Sequence, residues 1–187
     1  MRIISGSFKG KKILLPKDKL TRPLKDLTKE SIFNILKHSK LLNVELESSN
    51  ILDLFSGVGS FGLECLSRGA KNVTFMESYI DVLSVLKKNI NNLNQQNQTK
   101  IIEKDIFAEN TLKLLNDKFD IIFMDPPYKE KKLPFLLNAI TKLELLNTDG
   151  IIIIHRHKKE IDKFPKNFQL IDEKKYGISK IIFGNYF

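Results

Sequence analysis

Asp125-Pro126-Pro127-Tyr128 follows directly on the apolar run Phe119-Asp120-Ile121-Ile122-Phe123-Met124. Neither proline carries an N–H, and each holds φ near −65°, so the chain must leave the predicted strand as a stiff, extended spur. Such a spur fixes the Asp125 carboxylate, the Pro126 carbonyl and the Tyr128 ring relative to one another, with Pro127 locking the second bend. These groups suit a flat, amine-bearing ring: two acceptors for its N–H groups and an aromatic face to stack on. The same residues also read more simply as an exit turn, with a solvated aspartate and a core tyrosine.

Some 70 residues upstream, Ile51 to Phe55 form an apolar strand that runs into a glycine loop, Gly57, Gly59 and Gly62, and then into a helix ending near Arg68-Gly69. Literally, Gly57-x-Gly59-x-x-Gly62 is the dinucleotide fingerprint, and Glu77 stands 20 residues past Gly57, where a ribose-binding acid belongs. Asp53 points to a different ligand. It lies on the strand four residues before Gly57, and its charge would repel a pyrophosphate but hold a ligand bearing an ammonium and a sulfonium. S-adenosylmethionine has that charge pattern, with a ribose diol left for Glu77. Asp53 can equally bond the loop's own amides, and the two roles are compatible. Phe55, at the strand's end, completes the candidate cofactor-binding set on this side. Asp105 and Ile106 follow the third predicted strand and join the candidate cofactor-binding set; Asp105 reads equally well as an N-cap for the segment from Ile106. His155 and His157 have a spacing seen in metal sites, but no third ligand accompanies them, and no metal is expected.

Positioning these groups requires parallel strands that end on one side. The pattern predicts strands at 51–55, 72–77, 100–104 and 119–124, with a fully buried fifth at 150–154 and a closing antiparallel pair around Ile171 and Ile178 to Phe187. Helices are predicted from Thr28 to Ser39 and from Tyr79 to Leu93, the second entered through a Ser78-x-x-Asp81 capping box. Another is marked by Leu133, Leu136, Leu137, Ile140 and Leu143. The alternation gives an α/β fold, a doubly wound, mostly parallel seven-stranded sheet of the Rossmann-like type. In that topology the first and fourth strands are neighbours, so the glycine loop and Asp125 face each other across the crevice where strand order reverses.

Charge is unevenly placed. Residues 1–40 hold 11 Lys and Arg against 3 Asp and Glu, eight of the nine net positive charges in the 187-residue chain. The remainder is nearly neutral. We therefore expect one catalytic unit over 1–187, in which 1–40 form a basic extension and 41–187 the ligand-binding core. Ile3-Ile4 and Ile13-Leu14-Leu15 can pair as a hairpin there, with a helix behind it. A basic folded surface is the footprint of a polyanion binder, and Lys9, Lys11, Lys12, Arg22, Lys25 and Lys29 are the candidate RNA contacts. A single cysteine, Cys65, excludes an internal disulfide. No apolar run approaches the ~20 residues needed to span a bilayer. The expected compartment is the cytoplasm and the expected state a monomer.

The pairing of Asp53-Leu-Phe-Ser-Gly-Val-Gly-Ser-Phe-Gly with Asp125-Pro-Pro-Tyr resembles the Rossmann-like amino-methyltransferases. The segments Arg2-Ile-Ile-Ser-Gly-Ser-Phe-Lys-Gly-Lys-Lys-Ile, Thr21-Arg22-Pro23, Lys29-Glu30-Ser31-Ile32-Phe33-Asn34-Ile35-Leu36 and Lys175-Tyr176-Gly177 narrow the likeness to the bacterial 16S rRNA guanine-N2 methyltransferases of the RsmD type. The resemblance implies S-adenosylmethionine as methyl donor and the assembled small ribosomal subunit, with its proteins, as partner. It also implies a catalytic spur of Asp125, Pro126, Pro127 and Tyr128. Adenine-N6 and protein glutamine methyltransferases share the spur, and a binding factor without turnover is the reading from another class. Leu27 and Lys29 depart from the family pattern, which has arginines there, and His155-Arg156 replace an expected Glu-His.

Overall fold

The computed structural model describes residues 1–17 and 24–186; Arg22, one of the candidate RNA contacts, lies outside them. Helix α1 (Asp26–His38) precedes β1 (Asn50–Leu54), α2 (Ser60–Ser67), β2 (Asn72–Met76), α3 (Ile80–Asn92), β3 (Thr99–Ile102), β4 (Phe119–Met124), α4 (Leu133–Lys142), β5 (Leu146–His157), β6 (Phe168–Tyr176) and β7 (Ser179–Tyr186). The strands form one seven-stranded sheet in the order β3-β2-β1-β4-β5-β7-β6. The first five are parallel, while β7 inserts antiparallel between β5 and β6. This is the expected mostly parallel, methyltransferase-like α/β arrangement, with β1 and β4 paired directly.

Both faces of the sheet are covered, which is why its central strands read as unbroken apolar runs. Ile51, Ile121, Phe123, Ile151, Ile153, Ile181 and Phe183 face the core shared with the N-terminal arm, α1, α2 and α3. Leu52, Leu54, Ile122, Met124, Ile152, Ile154 and Ile182 face α4 and the 106–115 segment. On the first face three rings tie the layers together: Phe33 of α1 stacks on Phe61 of α2 at 5.3 Å, and Phe61 on Phe123 of β4 at 4.0 Å. Gly62 stands where α2 crosses the sheet, and a Cβ there would lie 2.4 Å from the Phe75 ring. That glycine allows close helix–strand contact.

The N-terminal arm folds back as the expected hairpin, paired about Arg2 and Lys12. Its two limbs share a single antiparallel bridge, Arg2 with Lys12, flanked by bonds from the Ile3 N–H to the Lys11 carbonyl and from the Gly10 N–H to the Ile3 carbonyl. The Ile13 N–H adds a bond to the Met1 carbonyl, and other backbone groups of the arm turn to α2. The Ile4 and Ser5 N–H groups donate to Glu64, and the Ser7 N–H donates to the Ser67 carbonyl. Gly6 sits so close to that carbonyl, with φ of +82°, that a Cβ would lie 1.8 Å from the oxygen. At the far end Asn89 of α3, buried, accepts the Leu14 N–H at 2.8 Å and donates to the Leu14 and Val58 carbonyls.

Lys29 is a correction. Expected among the phosphate contacts, it is fully buried; its ammonium donates to the Arg2 carbonyl at 2.8 Å and pairs with Glu64 at 3.3 Å. Glu64, equally buried, also takes the Arg68 Nε–H at 2.9 Å. A buried ammonium persists only when paired, and here the pair fastens the arm, α1 and α2 to one another. Lys9, Lys11, Lys12 and Lys25 are exposed. The expected capping box at Ser78 is absent too: the Ser78 and Tyr79 N–H groups donate to Glu77 Oε1, at 2.8 and 2.9 Å, just ahead of α3, which has no side-chain cap.

Candidate active site

Sheet register brings the two motifs together. Asp53 is level with Phe123 on the neighbouring β4, and the Asp125 N–H donates to the Leu54 carbonyl at 3.4 Å, the last link before the spur departs. On the β1 side the chain turns at once: Phe55 takes a φ of 59°, a left-handed conformation that is rare for a bulky residue and belongs to tight, over-determined sites. The loop then passes Gly57 and Gly59, both at positive φ, into the first turn of α2.

Two carboxylates bond this loop, with Asp125 nearby. Asp53 is 1% exposed and accepts the Gly62 N–H at 3.0 Å. Burial pushes its carboxyl well above the usual range; the Gly62 bond opposes that shift, and the nearby charges of Asp125 and Glu77 add to it. Glu77, at the end of β2, accepts the Gly57 N–H at 2.9 Å through Oε2 besides the two N–H groups on Oε1. A carboxylate offers about four acceptor sites, so Glu77 straps the loop and keeps capacity for a diol. Asp53 bonds the Gly62 amide, the second of the two roles its position allows. Carboxylates gathered at these strand ends favour a cationic ligand and disfavour a pyrophosphate. These residues fit S-adenosylmethionine on that ground.

Asp105 is exposed, and its Oδ1 accepts the Phe107 N–H at 2.9 Å, the local turn-capping role. Ile106 is buried in the second core. Phe107 is a residue the sequence reading missed: its ring lies 5.9 Å from that of Phe55, with the Lys132 ammonium 4.9 Å from its centroid. Two half-buried rings beside the glycine loop provide an apolar wall for a flat group. A phenylalanine two residues past Asp105 carried no signal that distinguished it from a core residue.

The spur itself is braced from β5. Pro126 is buried, Pro127 exposed, and Asp125 and Tyr128 half-buried. His155 Nδ1 lies 2.8 Å from Asp125 Oδ1. Arg156, 2% exposed, donates to the Pro127 carbonyl at 3.2 Å and to the Glu130 carbonyl at 3.0 Å, and is neutralised by Asp162 at 2.9 Å. The Tyr128 ring sits edge-on to His157 at 5.2 Å and to His155 at 6.3 Å. The two histidines therefore have places in the spur's surroundings, and no cluster of metal-ligating side chains occurs among the described residues. The adjacent pair that departed from the expected pattern, His155-Arg156, supplies the polar contacts that fix the spur at both ends.

A family model described as Conserved hypothetical protein 95 matches residues 1–185. YlbH of Bacillus subtilis is 32% identical over 185 residues, covering 97% of this chain and 96% of that one. Ribosomal RNA small subunit methyltransferase D of Haemophilus influenzae is 31% identical over 183 residues, covering 95% and 90%. Among solved structures, yhhF from Escherichia coli superposes with a TM-score of 0.81 at 25% identity, over 100% of this chain and 97% of that one.

Proposed function

The chain belongs to the Conserved hypothetical protein 95 family, the RsmD-type methyltransferases that its motifs resemble, and we propose that it methylates the exocyclic N2 amine of a guanine in 16S rRNA of the small ribosomal subunit. The observation that carries the proposal is the direct adjacency of the carboxylate-rimmed glycine loop and the braced Asp-Pro-Pro-Tyr spur across β1 and β4. Relatives whose names specify the small-subunit rRNA support the substrate.

S-adenosylmethionine, when bound, supplies the methyl group as the electrophilic carbon of a sulfonium. Asp53, Phe55, Gly57, Gly59, Gly62 and Glu77 would hold it, with Phe107 and the Asp105-Ile106 segment beside its base. The protein's remaining task is to make a poor nucleophile react, because the guanine amine's lone pair is delocalised into the ring. Asp125 and the Pro126 carbonyl accept its two N–H groups and draw that lone pair out of conjugation toward the donor. Arg156 keeps the spur's outer carbonyls fixed while this happens. Asp125 is also the nearest acceptor for the proton that leaves the amine. Tyr128 stacks on the base once it is turned out of its helix, a contact worth ~1–3 kcal/mol in single-strand binders.

Incubation with labelled donor and small subunits, free rRNA or DNA, followed by nucleoside digestion, tests the reading. N2-methylguanosine is the expected product, with assembled subunits preferred. N6-methyladenosine alone would move the enzyme to the adenine branch, and binding of rRNA with no methylated nucleoside from any arm would make it a binding factor.

The arm should guide the RNA. Arg2, Lys9, Lys37 and Arg68 line a groove between the arm and α1, together with Asp26 and Glu30. Replacing Lys9, Lys11, Lys12 and Lys25 by alanine is expected to flatten the log–log salt dependence of RNA affinity, by about 0.7 to 0.9 for each phosphate that is no longer neutralised. Filter-binding titrations over a range of salt read this directly. A slope identical to wild type would place the RNA on another face.

A further inference from the structure

His155 and Ser179 form a line of side chains behind the catalytic carboxylate that the methyl-transfer chemistry above does not use. His155 is 6% exposed, Ser179 5%. The imidazole spans them, Nδ1 at 2.8 Å from Asp125 Oδ1 and Nε2 at 2.9 Å from Ser179 Oγ. β5 and β7 set that spacing, since Ser179 is level with His157 in the antiparallel pair. The order Asp-His-Ser is that of the serine hydrolases. Here, however, the serine is buried on a strand flanked by β5 and β6 and cannot meet a substrate. The carboxylate is the exposed end, so the line acts toward Asp125.

We propose that His155 is a positioning residue that fixes the rotamer of Asp125, with Ser179 fixing the ring of His155 in turn; this rests on the methyltransferase reading. An ionised carboxylate only accepts hydrogen bonds, so Nδ1 must carry the hydrogen in either protonation state of the ring. The Ser179 hydroxyl can rotate to donate to Nε2 or accept from it, and it holds the ring plane in both cases. With Oδ1 tied to His155, the carboxylate cannot swing about its χ2 axis, and Oδ2 is left as the oxygen for the acceptor amine. Diproline rigidity fixes the backbone of the spur but not the Asp125 side chain. The imidazole supplies what the prolines cannot.

The test uses the full-length enzyme with S-adenosylmethionine and its rRNA substrate, comparing wild type with His155→Leu, His155→Asn and Ser179→Ala. Misplacing a reacting group by about 1 Å costs about 10²-fold. His155→Leu should accordingly lower kcat by about 30-fold or more, with KM for RNA and Kd for the donor unchanged. An asparagine amide keeps an N–H donor near the Nδ1 position, so His155→Asn should recover most of the kcat that leucine forfeits. Ser179→Ala should fall between wild type and His155→Leu. Nitrogen NMR of the wild-type imidazole, which needs no variant to fold, should show Nδ1 as a protonated nitrogen. A neutral ring protonated only at Nε2, or kcat for a folded His155→Leu equal to wild type, would overturn the assignment. Absence of methyl transfer by wild type on any nucleic acid would instead defeat the underlying reading, and the NMR result would stand apart from it.

Discussion

Asp125→Ala is expected to lower methyl transfer by about 10³-fold while leaving donor binding largely in place, because general-base or preorganised hydrogen-bonding groups typically contribute about 10²–10⁴. The substitution removes one of the two acceptors for the amine N–H groups and the nearest acceptor for its proton. It does not touch the glycine loop, whose carboxylate contacts come from Asp53 and Glu77. The Asp125 charge adds to the effect of burial in raising the Asp53 carboxyl, so its removal takes away a neighbouring negative charge and leaves the loop's hydrogen bonds standing. Single-turnover rates with saturating donor, together with calorimetric titration of the donor, separate the two effects. Near-wild-type turnover in Asp125→Ala would show that the spur orients the base without its carboxylate.

Glu64→Ala should be strongly destabilising. Breaking one partner of a buried ion pair costs about 3–5 kcal/mol, chiefly because the other charge is left uncompensated. Lys29 would be that charge, fully buried and left, among the described residues, with the Arg2 carbonyl. The Ile4 and Ser5 N–H groups lose their acceptor as well. Lys29→Met combined with Glu64→Leu should recover part of the loss, since no ammonium is then stranded, but the arm's two amides remain unpaired. Urea unfolding of the three variants measures this. A Glu64→Ala cost below about 1 kcal/mol would mean that the buried charge finds water or another partner. Because the same carboxylate fastens the basic arm to α2, loosening of the arm should also reduce RNA affinity in Glu64→Ala at denaturant concentrations where the core is still folded.

Much of the fold was legible in the sequence because its cause is local. Short, β-branched unbroken runs such as Ile151 to Ile154 and Ile121 to Met124 read as strands covered on both faces, and the helical spacings of Leu83, Leu86 and Ile90 and of Leu133, Leu136, Leu137 and Ile140 match helices whose boundaries moved by a residue or two. Alternation of those units fixed the parallel order and, with it, the meeting of the glycine loop and Asp125 across β1 and β4. Glycine and proline carried the turn and the spur because their restrictions belong to the residue itself.

What the sequence left undecided were the partners of charged groups, which come from distant parts of the chain. Lys29 has the side chain of a surface residue, and only Glu64, brought beside it by the packing of α1 on α2, turns it into a buried structural cation. Glu77 sits where a ribose ligand belongs, yet the loop and helix start claim three of its acceptor sites. His155 and Arg156 looked like departures from a pattern, and register across β4, β5 and β7 makes them the braces of the spur 30 residues away. Periodicity reports which face of an element is buried, because burial of apolar surface depends on residue type alone. The environment of a charge depends on which oppositely charged or hydrogen-bonding group stands within a few ångströms, and only the tertiary structure decides that.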